Sequence, residues 1–169
     1  DRCVGLEGLA HVDDDVEVAA RAGATSMIDV SDGLVTDLGR VARASGVCVD
    51  LDGEVLRDRF AAGPLTLALG PEEAWHQVLS GGEEHSLVGT FPDPASLPQD
   101  AEHPWVVIGR VLPTGSAGST GQADVTGSTG STGASGSTDP RVTVDGMVPE
   151  NARGWDHFAR GAGHPASGA

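Results

Sequence analysis

The sequence predicts an α/β (α+β) layered sandwich, a mixed β-sheet with helices packed on it. Stretches with apolar residues at helical spacing alternate with short, partly β-branched apolar runs along most of a 169-residue chain. Such alternation lets sheet and helices bury their apolar faces against each other in one core.

Val12, Val16, Ala19 and Ala20 recur at i, i+4, i+7 and i+8 behind Asp13, Asp14 and Asp15, with Gly23 as a stop. This is the pattern of a first helix with acids at the positive end of its dipole. Thr25 to Val30 suits a buried strand. A second helix follows, with Leu34, Leu38, Val41 and Ala42 on one face, Asp37, Arg40 and Arg43 on the other, and Gly46 at the C-cap. Val47 to Leu51 is predicted as a strand, and Glu54 to Ala61 and Pro71 to Leu79 as helices, the latter opened by proline. Ser86 to Phe91, Trp105 to Leu112 and Arg141 to Val144 read as strands. The second of these is nearly all apolar and is placed centrally in the sheet.

Thr114 to Thr138 repeats Gly, Ser and Thr with almost nothing to bury, so residues 114–138 are expected to form a disordered loop inserted between two neighbouring strands. The domain then spans 1–158, with a flexible tail at 159–169.

Charge narrows the partners. Twenty-five acids oppose ten bases, a net charge of −15, which repels nucleic acid and anionic membranes. All ten bases are arginine; without lysine the chain has neither a P-loop nor Schiff-base chemistry. No run of about 18 apolar residues is present, so no membrane span is expected. Cys3 and Cys48 make no disulfide framework, and a reduced, cytoplasmic protein is the expectation. The chain opens Asp1-Arg2-Cys3 without Met or a leader, which predicts a fragment of a longer protein.

Three motifs could carry chemistry. In Ser26 to Leu34, SMIDVSDGL, a strand turns into a helix through Asp29, Ser31, Asp32 and Gly33. Asp29 and Asp32 offer hard oxygen ligands suited to Mg²⁺, while Ser31 can cap the new helix or bind an anion at its N-terminus. Plain N-capping by the same residue types is the competing reading. Leu79-Ser80-Gly81-Gly82-Glu83-Glu84-His85 places acids behind paired glycines, either as a site or as a helix C-cap and solvated turn. Gly154-Trp155-Asp156-His157-Phe158 is either a plug over the core or a pocket wall. Zinc-ligand spacing, Rossmann glycines and a Gly-x-Ser-x-Gly elbow are all missing.

Taken in order, Met27 to Leu34, Asp37-Leu38, Ala44-Ser45-Gly46-Val47, Ser80 to Glu84, Val107 to Val111 and Gly154 to Phe158 resemble the thiamine-monophosphate kinases. The resemblance runs from about His11 to Phe158, apart from the Gly/Ser/Thr-rich stretch. It implies the C-terminal domain of the aminoimidazole ribonucleotide synthetase-like superfamily, whose N-terminal domain is absent here, and a homodimer in the full-length protein. It further implies that Asp29 and Asp32 bind Mg²⁺, that Ser31 contacts ATP, and that Glu83 and Trp155 contact thiamine monophosphate. Glu84 and His85 depart from the family's usual Asp and aromatic residue, and Cys48 stands where a small residue is common.

The activity implied is ATP-dependent phosphorylation of thiamine monophosphate to thiamine diphosphate, with the fragment inactive alone. Two alternatives stand beside it: another ATP-dependent enzyme of the superfamily, and a non-catalytic orphan domain that binds a ligand.

Overall fold

The structure, a computed structural model, describes residues 2–7, 12–81, 86–98, 105–115 and 141–149. Glu83, Trp155, residues 116–138 of the Gly/Ser/Thr-rich stretch and the tail at 159–169 lie outside these residues.

Strands β1 (Arg2–Glu7), β2 (Ser26–Val30), β3 (Val47–Leu51), β4 (Ser86–Phe91), β5 (Trp105–Pro113) and β6 (Arg141–Val144) form one sheet in the order β2-β4-β1-β5-β3-β6. β4 is antiparallel to β1 and β2, β5 is antiparallel to β1 and β3, and β6 is parallel to β3. Hence β1, β2, β3 and β6 run one way and end at the same edge. The sheet is mixed, as predicted, and apolar β5 lies inside it. The register slips between Val4 and Gly5, which pair with Gly109 and Val107, so that Ile108 forms a bulge. Gly109 is required where β5 meets β3: a Cβ there would lie 2.4 Å from the Asp50 carbonyl oxygen.

One expectation fails here, because β5 and β6 are not neighbours: β3 lies between them. Pro113 pairs with Val47 and Arg141 with Cys48, so the two ends of the Gly/Ser/Thr-rich connection stand on either side of β3, about 10 Å apart at normal strand spacing.

The helices are α1 (Val12–Arg21), α2 (Leu34–Ser45), α3 (Gly53–Leu56), α4 (Pro64–Leu69) and α5 (Pro71–Ser80); α1 and α2 pack on the sheet, and α4 lies against α5. Residues predicted as one helix from Glu54 to Ala61 divide into α3 and a π-helical turn, Arg57–Ala61, above which Arg57 stacks on the Trp75 ring at 4.0 Å. Gly46 ends α2 in the left-handed region at φ 64°, its N–H reaching the Ala42 and Arg43 carbonyls.

Strand alternation divides the core. Val4, Val49, Val88 and Ile108 pack with Leu34 and Leu38 of α2 and Leu79 of α5. On the other face Cys3, Leu87, Phe91 and Trp105 pack with Ala19 of α1, with Phe91 and Trp105 edge to face at 5.2 Å. Asp37, assigned to the polar face of α2 by its spacing, is instead fully buried.

Leu38 is 1% exposed among these side chains. Replacing it with alanine leaves a cavity and is expected to cost about 2–5 kcal/mol, read as a lowered urea midpoint by far-UV circular dichroism.

Candidate functional site

The corner after β2 is built from its backbone outward. Val30 makes the last pair of β2, with Ser86 at the start of β4, and the chain turns through Ser31 and Asp32 into Gly33, the N-cap of α2. Gly33 holds φ 110° and ψ 142° and makes no side-chain cap bond. This conformation is one that side chains resist, and a Cβ there would lie 2.9 Å from the Ser80 Cα. Only glycine lets the start of α2 meet the end of α5.

The donors of the turn are satisfied from within α2. Asp37 Oδ2 accepts the N–H groups of Ser31 at 2.9 Å and Asp32 at 3.0 Å, while Asp37 Oδ1 accepts from Arg40. The second guanidinium nitrogen of Arg40 donates to Asp32 Oδ2. That bond, the largest of several influences, raises the Arg40 guanidinium above its ordinary pKa.

N-capping therefore does not occupy the predicted acids, because Gly33 is the cap. Asp29 is exposed and pairs with Leu87, which puts it on the α1 side of the sheet, opposite the face of Ile28 and Val30. Ser31 is exposed and Asp32 half-buried. Among the described residues no group of three or more His, Cys, Asp or Glu side chains is arranged to hold a metal ion.

The second motif starts at the same corner. Ser80 lies against Gly33 and donates its hydroxyl to the His76 carbonyl at 2.8 Å. Ser86, which follows the motif, pairs with Val30. Both described ends of the segment carrying Glu83 thus meet the Asp29–Gly33 turn.

A further cleft, of about 630 Å³, opens where β3 ends, lined by Asp50, Asp52, Glu54, Arg57, Arg110 and Asp145 among others. Sequence reasoning passed over it. Asp50 accepts from Arg110 at 2.9 Å, from the Thr143 hydroxyl at 2.7 Å and from the Gly146 N–H at 2.8 Å. Burial alone would raise its carboxyl pKa; the bonds from Thr143, Gly146 and Arg110 outweigh burial and hold it below the ordinary value. Asp52 caps α3 through the Val55 N–H, and Asp145 accepts the Gly53 N–H. These acids fasten loops. The available signal was Asp50 within an apolar strand, directly opposite Arg110 in the sheet.

This sheet and its helices have the aminoimidazole ribonucleotide synthetase-like fold. The chain matches the solved AaThiL complexed with AMPPCP and TMP at a TM-score of 0.55 and 20% identity, over 93% of this chain and 51% of that one. Within that fold, the chain is similar in sequence to thiamine-monophosphate kinases. It is 48% identical to the Mycobacterium tuberculosis (strain CDC 1551 / Oshkosh) enzyme over 95 residues, 56% of this chain and 26% of that protein. It is 44% identical to the Corynebacterium glutamicum enzyme over 141 residues, 83% of this chain and 34% of the relative. The matches thus span about a quarter to a third of the length of these curated relatives. No protein-family model matches the chain.

The depressed Asp50 carboxyl contributes stability above its unfolded pKa of about 4, and that contribution is lost as pH falls through the lower folded value. Because Arg110 is half exposed, the buried bonds from Thr143 and Gly146 carry most of it. Asp50→Asn is expected to cost about 1–3 kcal/mol at pH 7. The gap from the unsubstituted chain should narrow below about pH 4, which urea melts at pH 7 and pH 3 compare.

Proposed function

We propose that the chain is the C-terminal part of a thiamine-monophosphate kinase, transferring a phosphoryl group from ATP to thiamine monophosphate in the cytoplasm. One observation carries the reading: the Gly33–Ser80 contact joins the start of the Asp29–Asp32 turn's helix to the start of the glutamate-bearing motif. It does so in a chain 44–48% identical to kinases of that name, with the fold of a protein solved with an ATP analogue.

In this reading Asp29 and Asp32 hold Mg²⁺, Ser31 contacts ATP, and Glu83 and Trp155 contact the thiamine substrate. The donor set fits in part. Carboxylate oxygens suit Mg²⁺, which commonly takes one or two of them and fills its remaining positions with water and phosphate. Asp29 is exposed, and the partner of Asp32 is an arginine side chain rather than backbone. Both can therefore face a ligand. Two carboxylates do not make a closed cage, so further acids and the rest of the ATP site come from the N-terminal domain of the full-length protein, a homodimer.

The acceptor phosphate needs little activation. A phosphate monoester has a second pKa of about 6 and is largely dianionic at neutral pH, so no general base is required. When bound, magnesium neutralises the charge of the two phosphate groups. The chain's own residues supply position: the exposed Ser31 hydroxyl orients the nucleotide, Trp155 offers a π face to the cationic thiazolium, and Glu83 offers a negative charge.

Titrating the chain with Mg²⁺ and an ATP analogue, followed by tryptophan fluorescence, is expected to give saturable binding that Asp29→Asn and Asp32→Asn each weaken at least tenfold. Binding indifferent to both substitutions removes the metal assignment. In a coupled assay of ADP release with ATP, Mg²⁺ and thiamine monophosphate, the chain alone is expected to show no turnover above background, since its ligand set is incomplete. Turnover near that of a full-length kinase would show that no further domain is needed.

A further inference from the structure

We infer that Arg40 is a positioning residue that occupies Asp32 until a divalent cation displaces it, and that its freed guanidinium then pairs with the phosphates arriving with the metal. The inference rests on the magnesium reading of the corner.

The geometry distinguishes the two ends of the arginine fork. One nitrogen donates to Asp37 Oδ1 and the other to Asp32 Oδ2. Asp37 is 0% exposed, and its other oxygen is held by two backbone N–H groups. It is a fixed anchor. Asp32 is 27% exposed and Arg40 47% exposed, so the second contact lies in water, where ion pairs are weak and exchange readily. A cation seeking Asp32 meets a competing charge already in place. Once that contact opens, Arg40 stays tethered through Asp37 beside the exposed Ser31, and a guanidinium there has the planar, multi-donor form that phosphate oxygens accept.

Competition and phosphate pairing predict opposite signs. Arg40→Gln removes the charge, while Asp37 keeps the Ser31 and Asp32 N–H bonds that shape the turn. Mn²⁺ alone, titrated by electron paramagnetic resonance, is expected to bind Arg40→Gln about two- to fivefold more tightly, the range of a lost exposed ion pair. Mn²⁺ with an ATP analogue is expected to bind it several-fold more weakly. Arg40→Lys should keep the affinity for Mn²⁺ alone near that of the unsubstituted chain. Thermal unfolding by circular dichroism shows whether both variants keep the fold.

A merely structural arginine would weaken both kinds of binding together, or neither, and either pattern overturns the inference. If Mn²⁺ binds and Asp32→Asn abolishes it, yet Arg40→Gln changes nothing, only this inference fails. If the unsubstituted chain binds no Mn²⁺ with or without nucleotide, the magnesium reading fails and takes the inference with it.

Discussion

The corner depends on one buried carboxylate. Asp37 sits in the first turn of α2 with no contact with water, a position that is costly for a charged group unless its lone pairs are used. They are used: two by the N–H groups of Ser31 and Asp32 and another by Arg40. These bonds fix the turn between β2 and α2, so the chain arrives at Gly33 already in the conformation that lets α2 press against Ser80. Placement of α5, and of Gly81 that follows it, is thereby tied to a side chain six residues beyond Ser31. The turn so fixed leaves Ser31 exposed.

Much of the fold was legible because the informative residues are local. The apolar face of α2, its stop at Gly46, the proline that opens α5 and the apolar run of β5 each follow from spacing within a dozen residues. Where structure comes from distant pairing, the sequence was silent. Arg2–Glu7 mixes charge, cysteine and glycine, and becomes a strand because β4 and β5 flank it on both sides. α4 lies between two glycines of positive φ, Gly63 and Gly70, and buries none of its residues. The same limit produced the error at Asp37: helical periodicity groups it with Arg40 and Arg43, and only the backbone of the preceding turn makes burial favourable.

The candidate site divides in the same way. That a strand becomes a helix through Asp29, Ser31, Asp32 and Gly33 is written in nine consecutive residues, and the structure forms that junction. That Ser80 touches it is not written there, since the contact joins the ends of two helices far apart in the chain. Nor could spacing show how Asp50 is held: its partners Arg110, Thr143 and Gly146 lie 60 to 96 residues away. Only the oddity of a carboxylate in an apolar strand pointed to a partner.

Acids gather at this edge of the sheet for two different reasons, and the difference decides which of them can serve a ligand. β1, β2, β3 and β6 all end there, and the exits of β2, β3 and β6 leave backbone N–H groups that need acceptors. Asp37, Asp52 and Asp145 accept such groups, and Asp50 accepts the Gly146 N–H as well as side-chain donors. Drawing any of them onto a metal would strip a loop of the bond that shapes it. Asp29 lies exposed near the end of β2, and Asp32 is paired with an exposed guanidinium that water or a cation can replace at little cost. A gathering of acids is therefore weak evidence of a site in this fold. The two proposed ligands, on either side of Ser31, differ from the rest in that, among the described residues, their side chains accept no backbone N–H.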